Sequence, residues 1–227
     1  HKAMKNDMKK PEINKTAATY GGDKKSKIFV YLFFGDLSDE ERKENDFSDF
    51  PEERAAEILS SKSEKTRLQK TAVWKLLLFA AKKAYGLSAD EIRFERTAEG
   101  KWLCDKFFFS LSHTDGAVAV VVAEKPCGID IEYMPKFLKK CAYKSFIEAF
   151  LRRIDKKDNL SAKETLKLWT KKESVFKLSG GGVFTPKKID VENENVVTEI
   201  IGDYVLSVAT TDKANKENIE INILKRI

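Results

Sequence analysis

The chain has 227 residues, a formal net charge of +6, 42% hydrophobic residues and 34% charged residues. These values predict a soluble protein of one large or two small domains. The longest early apolar run, 28–34, is too short to cross a bilayer, so no membrane-spanning segment is expected in this part of the chain. The basic charge indicates an acidic partner, a class that includes polyphosphate ligands, acidic proteins, nucleic acids and anionic lipids.

Cysteine and histidine content narrows the chemistry further. The three cysteines show no metal-type spacing, and only His1 and His113 are histidines. The sequence therefore predicts reduced thiols in a cytoplasmic protein without a secretion signal, and it excludes a histidine-rich metal site.

The N-terminal part of the chain alternates strand and helix patterns. Lysine-rich residues 1–26 are a predicted loose tail or vector-derived remnant. After this tail, the patterns predict a strand at 27–34, an acidic loop at 36–50 and two helices at 51–62 and 61–85. Two strands are predicted next, at 92–96 and 107–112. The second helix is expected to begin at a capping box, Ser61 to Glu64, and to end before Gly86.

The C-terminal part repeats this order. The patterns predict two strands at 117–123 and 127–132, a basic helix at 136–153 and a capped helix at 161–179. Three antiparallel strands are predicted after them, at 196–201, 204–209 and 219–224. The capped helix begins at the capping box of Ser161 and Glu164 and ends at Gly180. Because the order occurs twice, we expect an α+β fold of two similar halves, 27–116 and 117–227.

Two carboxylates share one face of the predicted strand at 127–132. Alternate residues of a strand project from the same side, so Asp130 and Glu132 point together while Ile129 and Ile131 face the core. Neighbouring carboxylates favour a hard divalent cation such as Mg²⁺ between them. An ordinary strand with one polar face is the alternative interpretation.

A third carboxylate interrupts an apolar helix stripe. Leu166, Trp169, Glu173 and Phe176 are spaced three, four and three apart, so Glu173 stands where an apolar residue is expected. A buried carboxylate is costly unless it is paired or bound to a metal. Lys177 lies one turn further on, and a simple Glu173–Lys177 salt bridge is the alternative.

A histidine stands near the tip of a predicted strand. His113 follows an apolar strand and precedes the turn pattern at 114–116. Loops and strand ends often build functional sites, so His113 is a candidate site residue. An exposed turn histidine is the alternative.

Four segments together resemble the 4′-phosphopantetheinyl transferases. The resemblance is to the surfactin-synthetase-activating type in particular, whose single chain holds two similar halves. Ser110 stands where the family usually has Asn, and Trp102 stands where Pro often follows Gly-Lys. The matching segments are Gly100-Lys101, Phe109 to His113, Gly128 to Glu132 and Trp169 to Lys177.

This resemblance implies a role for each candidate residue. Asp130, Glu132 and Glu173 match the Mg²⁺ ligands of the family, which places the metal site in the C-terminal half. Glu173 also matches the general base, and Lys177 and His113 complete the expected catalytic group. The expected coenzyme A contacts are Arg67, Arg96, Lys101, Ser110, Ser112, His113 and Lys177.

The resemblance also implies an activity and its partners. The expected reaction is that of a holo-acyl-carrier-protein synthase, which moves the 4′-phosphopantetheine arm of coenzyme A to a serine of an apo acyl or peptidyl carrier protein. An acidic carrier helix is expected to dock on the basic helix 136–153, for which a solvated surface helix is the alternative. A cytoplasmic monomer with no membrane or nucleic-acid partner is expected. The competing hypotheses are a catalytically silent relative that binds coenzyme A or a carrier, and a basic nucleic-acid-binding protein.

Overall fold

A computed structural model describes residues 27–35, 47–154, 160–180, 182–192, 195–211 and 216–225. The predicted tail over 1–26 and most of the predicted acidic loop over 36–50 lie outside the described residues. Helices and strands mix throughout the described residues, which confirms the α+β prediction.

The element order follows the predicted alternation of strands and helices. The helices are α1 (Glu52–Leu59), α2 (Glu64–Tyr85), α3 (Met134–Cys141), α4 (Lys144–Ile154) and α5 (Ala162–Ser179). The strands are β1 (Ile28–Phe34), β2 (Phe94–Arg96), β3 (Trp102–Cys104), β4 (Phe108–Thr114), β5 (Ala117–Ala123), β6 (Cys127–Tyr133), β7 (Asn195–Ile201), β8 (Tyr204–Thr210) and β9 (Ile219–Leu224). Strand β3 is not predicted by the sequence patterns, because three residues are too few to show a period.

The first sheet has the strand order β4-β5-β1-β9. Strand β5 pairs antiparallel with both β1 and β4, and all seven of its residues are buried, as its uniformly apolar sequence predicts. The prediction that 219–224 is one of three antiparallel C-terminal strands is wrong. Strand β9 instead runs parallel to β1, with Ile219 opposite Ile28. This position covers the second edge of β1, a strand that is apolar on both faces.

The second sheet has the order β6-β8-β7, with all neighbours antiparallel. Ile129 and Ile131 of β6 lie in one buried apolar cluster with Val30 and Leu32 of β1, in the core between the sheets, as the alternating pattern predicts. Helix α5 packs on the opposite face of β6, where the carboxylates project. Because Ile129 and Ile131 face the core between the sheets, Asp130 and Glu132 lie on the other face of β6, toward α5.

Two helix boundaries differ from the sequence prediction. Helix α2 is capped by Ser63, whose hydroxyl accepts from the Thr66 N–H at 3.4 Å, so the predicted capping box at Ser61 is wrong. Ser61 instead lies two residues after α1, where its hydroxyl donates to the Glu57 carbonyl at 3.3 Å. The capping box of Ser161 with Glu164 is confirmed by contacts in both directions.

The basic segment after β6 forms two helices, α3 and α4, where the sequence predicts one over 136–153. Ala142 ends α3 as its C-cap, and α4 begins two residues later.

The division into two similar halves at residue 117 stays a prediction. The segment that follows this point, β5, is hydrogen-bonded within the first sheet. Within the described ranges, the structure contains no helix of the length and apolar content that crossing a membrane requires.

Candidate functional site

Strand β6 and helix α5 bring the predicted acidic residues and their lysine together. The Lys177 ammonium donates to Asp130 Oδ1 at 2.7 Å and lies 3.8 Å from Glu173 Oε2. Glu132 lies two residues beyond Asp130 on the same face of β6. Asp130 is only 2% exposed, whereas the other carboxylates are half-buried. We call Asp130, Glu132 and Glu173 the carboxylate cluster.

A glycine allows α5 to approach β6 so closely. A Cβ atom added to Gly128 would lie 2.0 Å from the Ser174 carbonyl oxygen and 2.6 Å from the Leu178 amide nitrogen. Both are backbone atoms of the α5 segment that carries Glu173 and Lys177. The glycine of the Gly-Ile-Asp-Ile-Glu segment is therefore required by packing, a role that the sequence alone did not indicate.

Two glutamates of the carboxylate cluster, Glu132 and Glu173, have raised pKa values. Burial, followed by the nearby charge of Asp130, raises the pKa of Glu132 to about 7. The same two causes raise the pKa of Glu173 well above its usual value. Burial lowers the pKa of Lys177, but Asp130 and Glu173 raise it more, so that this pKa ends above its usual value. The three carboxylates of the cluster outnumber the Lys177 ammonium that contacts Asp130 and Glu173, a condition that favours a further cation.

The donor chemistry of the cluster fits Mg²⁺, which prefers carboxylate oxygens. Asp130 Oδ2 is buried and has no hydrogen-bond partner among the described residues, so one ligand atom is left for a cation. In the described part of the chain, no group of three or more His, Cys, Asp or Glu side chains is arranged to hold a metal ion. The assignment of Asp130, Glu132 and Glu173 as magnesium ligands therefore stays a prediction.

The buried serines of β4 lie beside the cluster. The Ser112 hydroxyl donates to Asp130 Oδ1 at 2.9 Å and accepts from Lys177 Nζ at 3.1 Å. The Ser110 hydroxyl accepts from the Ile129 N–H at 3.2 Å. Both hydroxyls are engaged inside the protein, and their predicted contacts with coenzyme A stay predictions.

His113 points away from these serines, because it alternates with them along β4. The residue lies inside the strand, one position before its end at Thr114, and it is exposed to solvent. Crowding by protein atoms, and then the positive charges of Lys177 and Arg54, lower the pKa of His113 below its usual value. A neutral imidazole can donate a hydrogen bond to a phosphate oxygen, which is compatible with the predicted phosphate contact. This contact stays a prediction.

A cavity of about 270 Å³ adjoins the cluster. Its wall includes the aromatic residues Trp102, Phe109 and Phe176, and its polar lining includes Lys101 and Lys177. Lys101 Nζ donates to the Lys177 carbonyl at 2.7 Å, and burial lowers the pKa of Lys101. The structure thus brings two predicted coenzyme A contacts, Lys101 and Lys177, to one concave site together with Ser110.

The lining of this cavity does not include four of the predicted contacts, Arg67, Arg96, Ser112 and His113. Arg67 donates to the Ser61 carbonyl at 3.0 Å and supports the connection between α1 and α2. Arg96 contacts the Gly100 carbonyl at 3.4 Å and Glu53 Oε1 at 3.5 Å. Their roles in binding coenzyme A stay predictions.

The structure shows two further buried or half-buried groups that the motifs did not reveal. Lys172 of α5 is 6% exposed and donates to the carbonyls of Pro186, at 3.0 Å, and Ile189, which ties the chain after α5 to the helix. Thr114 of β4 donates to Glu132 Oε2 at 3.2 Å. A period of two in Ser110, Ser112 and Thr114 is the sequence signal that could have indicated this role.

Comparison with known proteins identifies the part of the chain that carries the cluster. Residues 126–217 match the family model described as the 4′-phosphopantetheinyl transferase superfamily. A curated protein of Aneurinibacillus migulanus, the 4′-phosphopantetheinyl transferase gsp, is 32% identical over 99 residues, which are 43% of this chain and 42% of that protein. The match therefore spans less than half the length of this relative. The segment that contains β6 and α5 is therefore similar to the 4′-phosphopantetheinyl transferase superfamily, in agreement with the resemblance of its motifs.

Proposed function

We propose that this protein transfers the 4′-phosphopantetheine arm of coenzyme A to a serine of an apo acyl or peptidyl carrier protein, and releases adenosine 3′,5′-bisphosphate. The observation that supports this most directly is the meeting of Asp130, Glu132, Glu173 and Lys177 beside a cavity with a second lysine, Lys101. Acidic groups beside paired cations suit a phosphoryl transfer, in which positioning and charge dominate catalysis.

The cavity offers complementary chemistry to the two ends of a nucleotide. Phe176, which is half-buried in the wall of the cavity, supplies apolar surface of the kind that packs on a base or an alkyl arm. Lys101 and Lys177 supply ammonium groups for phosphate oxygens at the same cavity. Arg67, Arg96, Ser112 and His113 are proposed to complete the contacts with coenzyme A.

The reaction needs one proton acceptor and charge stabilisation on the leaving group. The serine oxygen of the carrier forms a bond to the β-phosphorus, and the bond from that phosphorus to its bridging oxygen breaks. Glu173 takes the serine proton, for which its raised pKa is suited, because a base is most effective when its pKa is near the working pH. Lys177 and His113 stabilise the adenosine bisphosphate that leaves with the electron pair.

The carboxylate cluster is proposed to hold Mg²⁺. When bound by Asp130, Glu132 and Glu173, the ion would neutralise charge on the pyrophosphate of coenzyme A. The unpartnered Asp130 Oδ2 is the atom of this structure that supports the assignment.

The carrier protein is proposed to dock on α3 and α4. Both helices end in cations, Lys139 and Lys140 in α3 and Arg152 and Arg153 in α4. Leu138 is 41% exposed next to the α3 lysines. An apolar side chain beside basic residues suits an amphipathic acidic helix, which charge would also steer toward the site.

The test is mass spectrometry of an apo carrier protein incubated with this protein, coenzyme A and Mg²⁺. The carrier is expected to gain the mass of one phosphopantetheine arm. Glu173→Gln should abolish this gain while leaving the thermal unfolding curve cooperative, because the amide cannot accept the serine proton. The matched control Glu95→Gln, at an exposed position on β2, should transfer normally.

Two results would count against the proposal. Wild-type protein that binds coenzyme A without modifying any of several apo carriers would indicate a silent relative. Normal transfer by the Glu173→Gln variant would remove the proposed base from the mechanism.

A further inference from the structure

Hydroxyl side chains of β4 cover the outer edge of β6. These two strands belong to different sheets, and β6 is an outer strand of the second sheet as described. The N–H groups of β6 that point away from β8 need acceptors, as they do at any sheet edge. Three hydroxyls accept them, each from a residue 19 positions further along the chain. The pairs are Ser110 with Ile129 at 3.2 Å, Ser112 with Ile131 at 3.2 Å, and Thr114 with Tyr133 at 3.3 Å.

The hydroxyl of Thr114 also has a proton to give. It donates to Glu132 Oε2 at 3.2 Å while it accepts from the Tyr133 N–H. A threonine hydroxyl has one donor proton and two acceptor lone pairs, so both contacts can exist at once. Ser112 makes the equivalent pair of contacts with Asp130 and Ile131. In both cases, the hydroxyl that donates to a carboxylate of β6 also accepts from the backbone N–H of the next residue of β6.

We propose that Thr114 is a positioning residue that orients the Glu132 carboxylate within the cluster. The inference rests on the proposed function, because it assigns a purpose to that orientation. Side chains that hold a metal-binding carboxylate typically contribute 10–100-fold to metal affinity. The backbone at Thr114 is anchored separately, because Gln69 Nε2 of α2 donates to the Thr114 carbonyl at 2.7 Å. Removal of the hydroxyl should therefore free Glu132 while this anchor holds the Thr114 backbone in place; the Tyr133 N–H loses its acceptor at the same time.

The experiment compares Thr114→Val, which removes the hydroxyl at nearly constant shape, with Thr114→Ser, which keeps it. The matched control is Thr198→Val in β7, where the lost hydroxyl contacts Ser207 at 2.9 Å and not a carboxylate. Binding of Mn²⁺ in the presence of coenzyme A is measured by calorimetry, and transfer is measured across a series of Mg²⁺ concentrations. Thermal unfolding checks that each variant is folded.

Thr114→Val is expected to weaken Mn²⁺ binding about tenfold and to raise the half-saturating Mg²⁺ concentration equally. Its kcat at saturating Mg²⁺ should stay close to that of the wild type. Thr114→Ser and Thr198→Val should bind Mn²⁺ as the wild type does. If Thr114→Val does not fold, Thr114→Cys replaces it, because a thiol is a weak donor of similar size, and the same direction of change is expected.

The outcomes separate this inference from the proposed function. Equal Mn²⁺ affinity in the wild type and Thr114→Val, or a loss of affinity in Thr114→Ser as large as in the valine variant, would refute the positioning role alone. Wild-type protein that binds Mn²⁺ but never modifies a carrier would refute the function and leave the Thr114 comparison decisive. Wild-type protein that binds no Mn²⁺ would refute both.

Discussion

A single methyl group at Gly128 should separate the two elements of the site. In Gly128→Ala the new Cβ would lie 2.0 Å from the Ser174 carbonyl oxygen. Non-bonded heavy atoms approach to about 3.5 Å, so α5 would have to retreat by roughly 1.5 Å. The obstructing atoms belong to the helix backbone, and no side-chain rotation can therefore relieve the contact.

The retreat of α5 would act on both stability and catalysis. Overpacking of this kind costs about 1–3 kcal/mol of unfolding free energy. It would also draw Lys177 away from Asp130, a contact of 2.7 Å that cannot lengthen so far and remain a hydrogen bond. Misplacement of reacting groups by about 1 Å can reduce a rate about 100-fold. We therefore expect Gly128→Ala to be both less stable and nearly inactive.

Urea unfolding and the carrier mass assay measure these two effects separately. The control is Gly202→Ala in the turn after β7, where φ is +56° and no heavy atom lies within 4 Å of the added Cβ. Alanine there costs about 1 kcal/mol of backbone strain without moving α5, so transfer should continue. Wild-type stability together with wild-type transfer in Gly128→Ala would refute the packing of α5 on β6 described above.

Two further predictions concern charge. Burial raises the pKa of Glu57, but Arg54, Trp102 and Lys70 lower it more, to about 2. Glu57 therefore stabilises the fold above pH ~4.5, and this stabilisation, about 2 kcal/mol after allowance for solvent screening, should be lost as the pH falls from 4.5 toward 2. Urea unfolding across this range should show a steeper loss in the wild type than in Glu57→Gln, and parallel curves would contradict the assignment. For docking, Lys139→Glu with Lys140→Glu should raise KM for the carrier protein more than KM for coenzyme A, whereas the matched pair Lys82→Glu with Lys83→Glu on exposed positions of α2 should change neither. An equal rise in both KM values, or none, would exclude the α3 surface.

Local periodicity was sufficient to predict the side chains of the cluster. A period of two placed Asp130 and Glu132 on one face of β6, and the apolar stripe of α5 placed Glu173 toward the interior. These patterns report which face of an element is buried. They do not report what covers that face, and therefore the contact between Lys177 and Asp130 followed only from the structure.

The features that escaped prediction depend on contacts between distant parts of the chain. The parallel pairing of β9 with β1 joins residues near the two ends of the described chain, and an isoleucine-rich strand fits a parallel or an antiparallel neighbour equally well. The close approach at Gly128 is equally invisible in the sequence, since its cause is the backbone of a helix that begins more than 30 residues later.

The hydroxyls between β4 and β6 explain why the cluster lies where the two sheets meet. A backbone ladder at this edge would satisfy the N–H groups of β6 with carbonyls, which have no proton to give to Asp130 or Glu132. A hydroxyl can accept and donate at the same time. The hydroxyls of Ser112 and Thr114 therefore accept from the N–H groups of β6, which connects the two sheets, and donate to the carboxylates of Asp130 and Glu132. Apolar residues at these two positions would leave buried N–H groups without partners, at about 1–3 kcal/mol each, and would also remove a donor from each carboxylate. The junction between the sheets therefore depends on the same hydroxyls as the geometry of the proposed site.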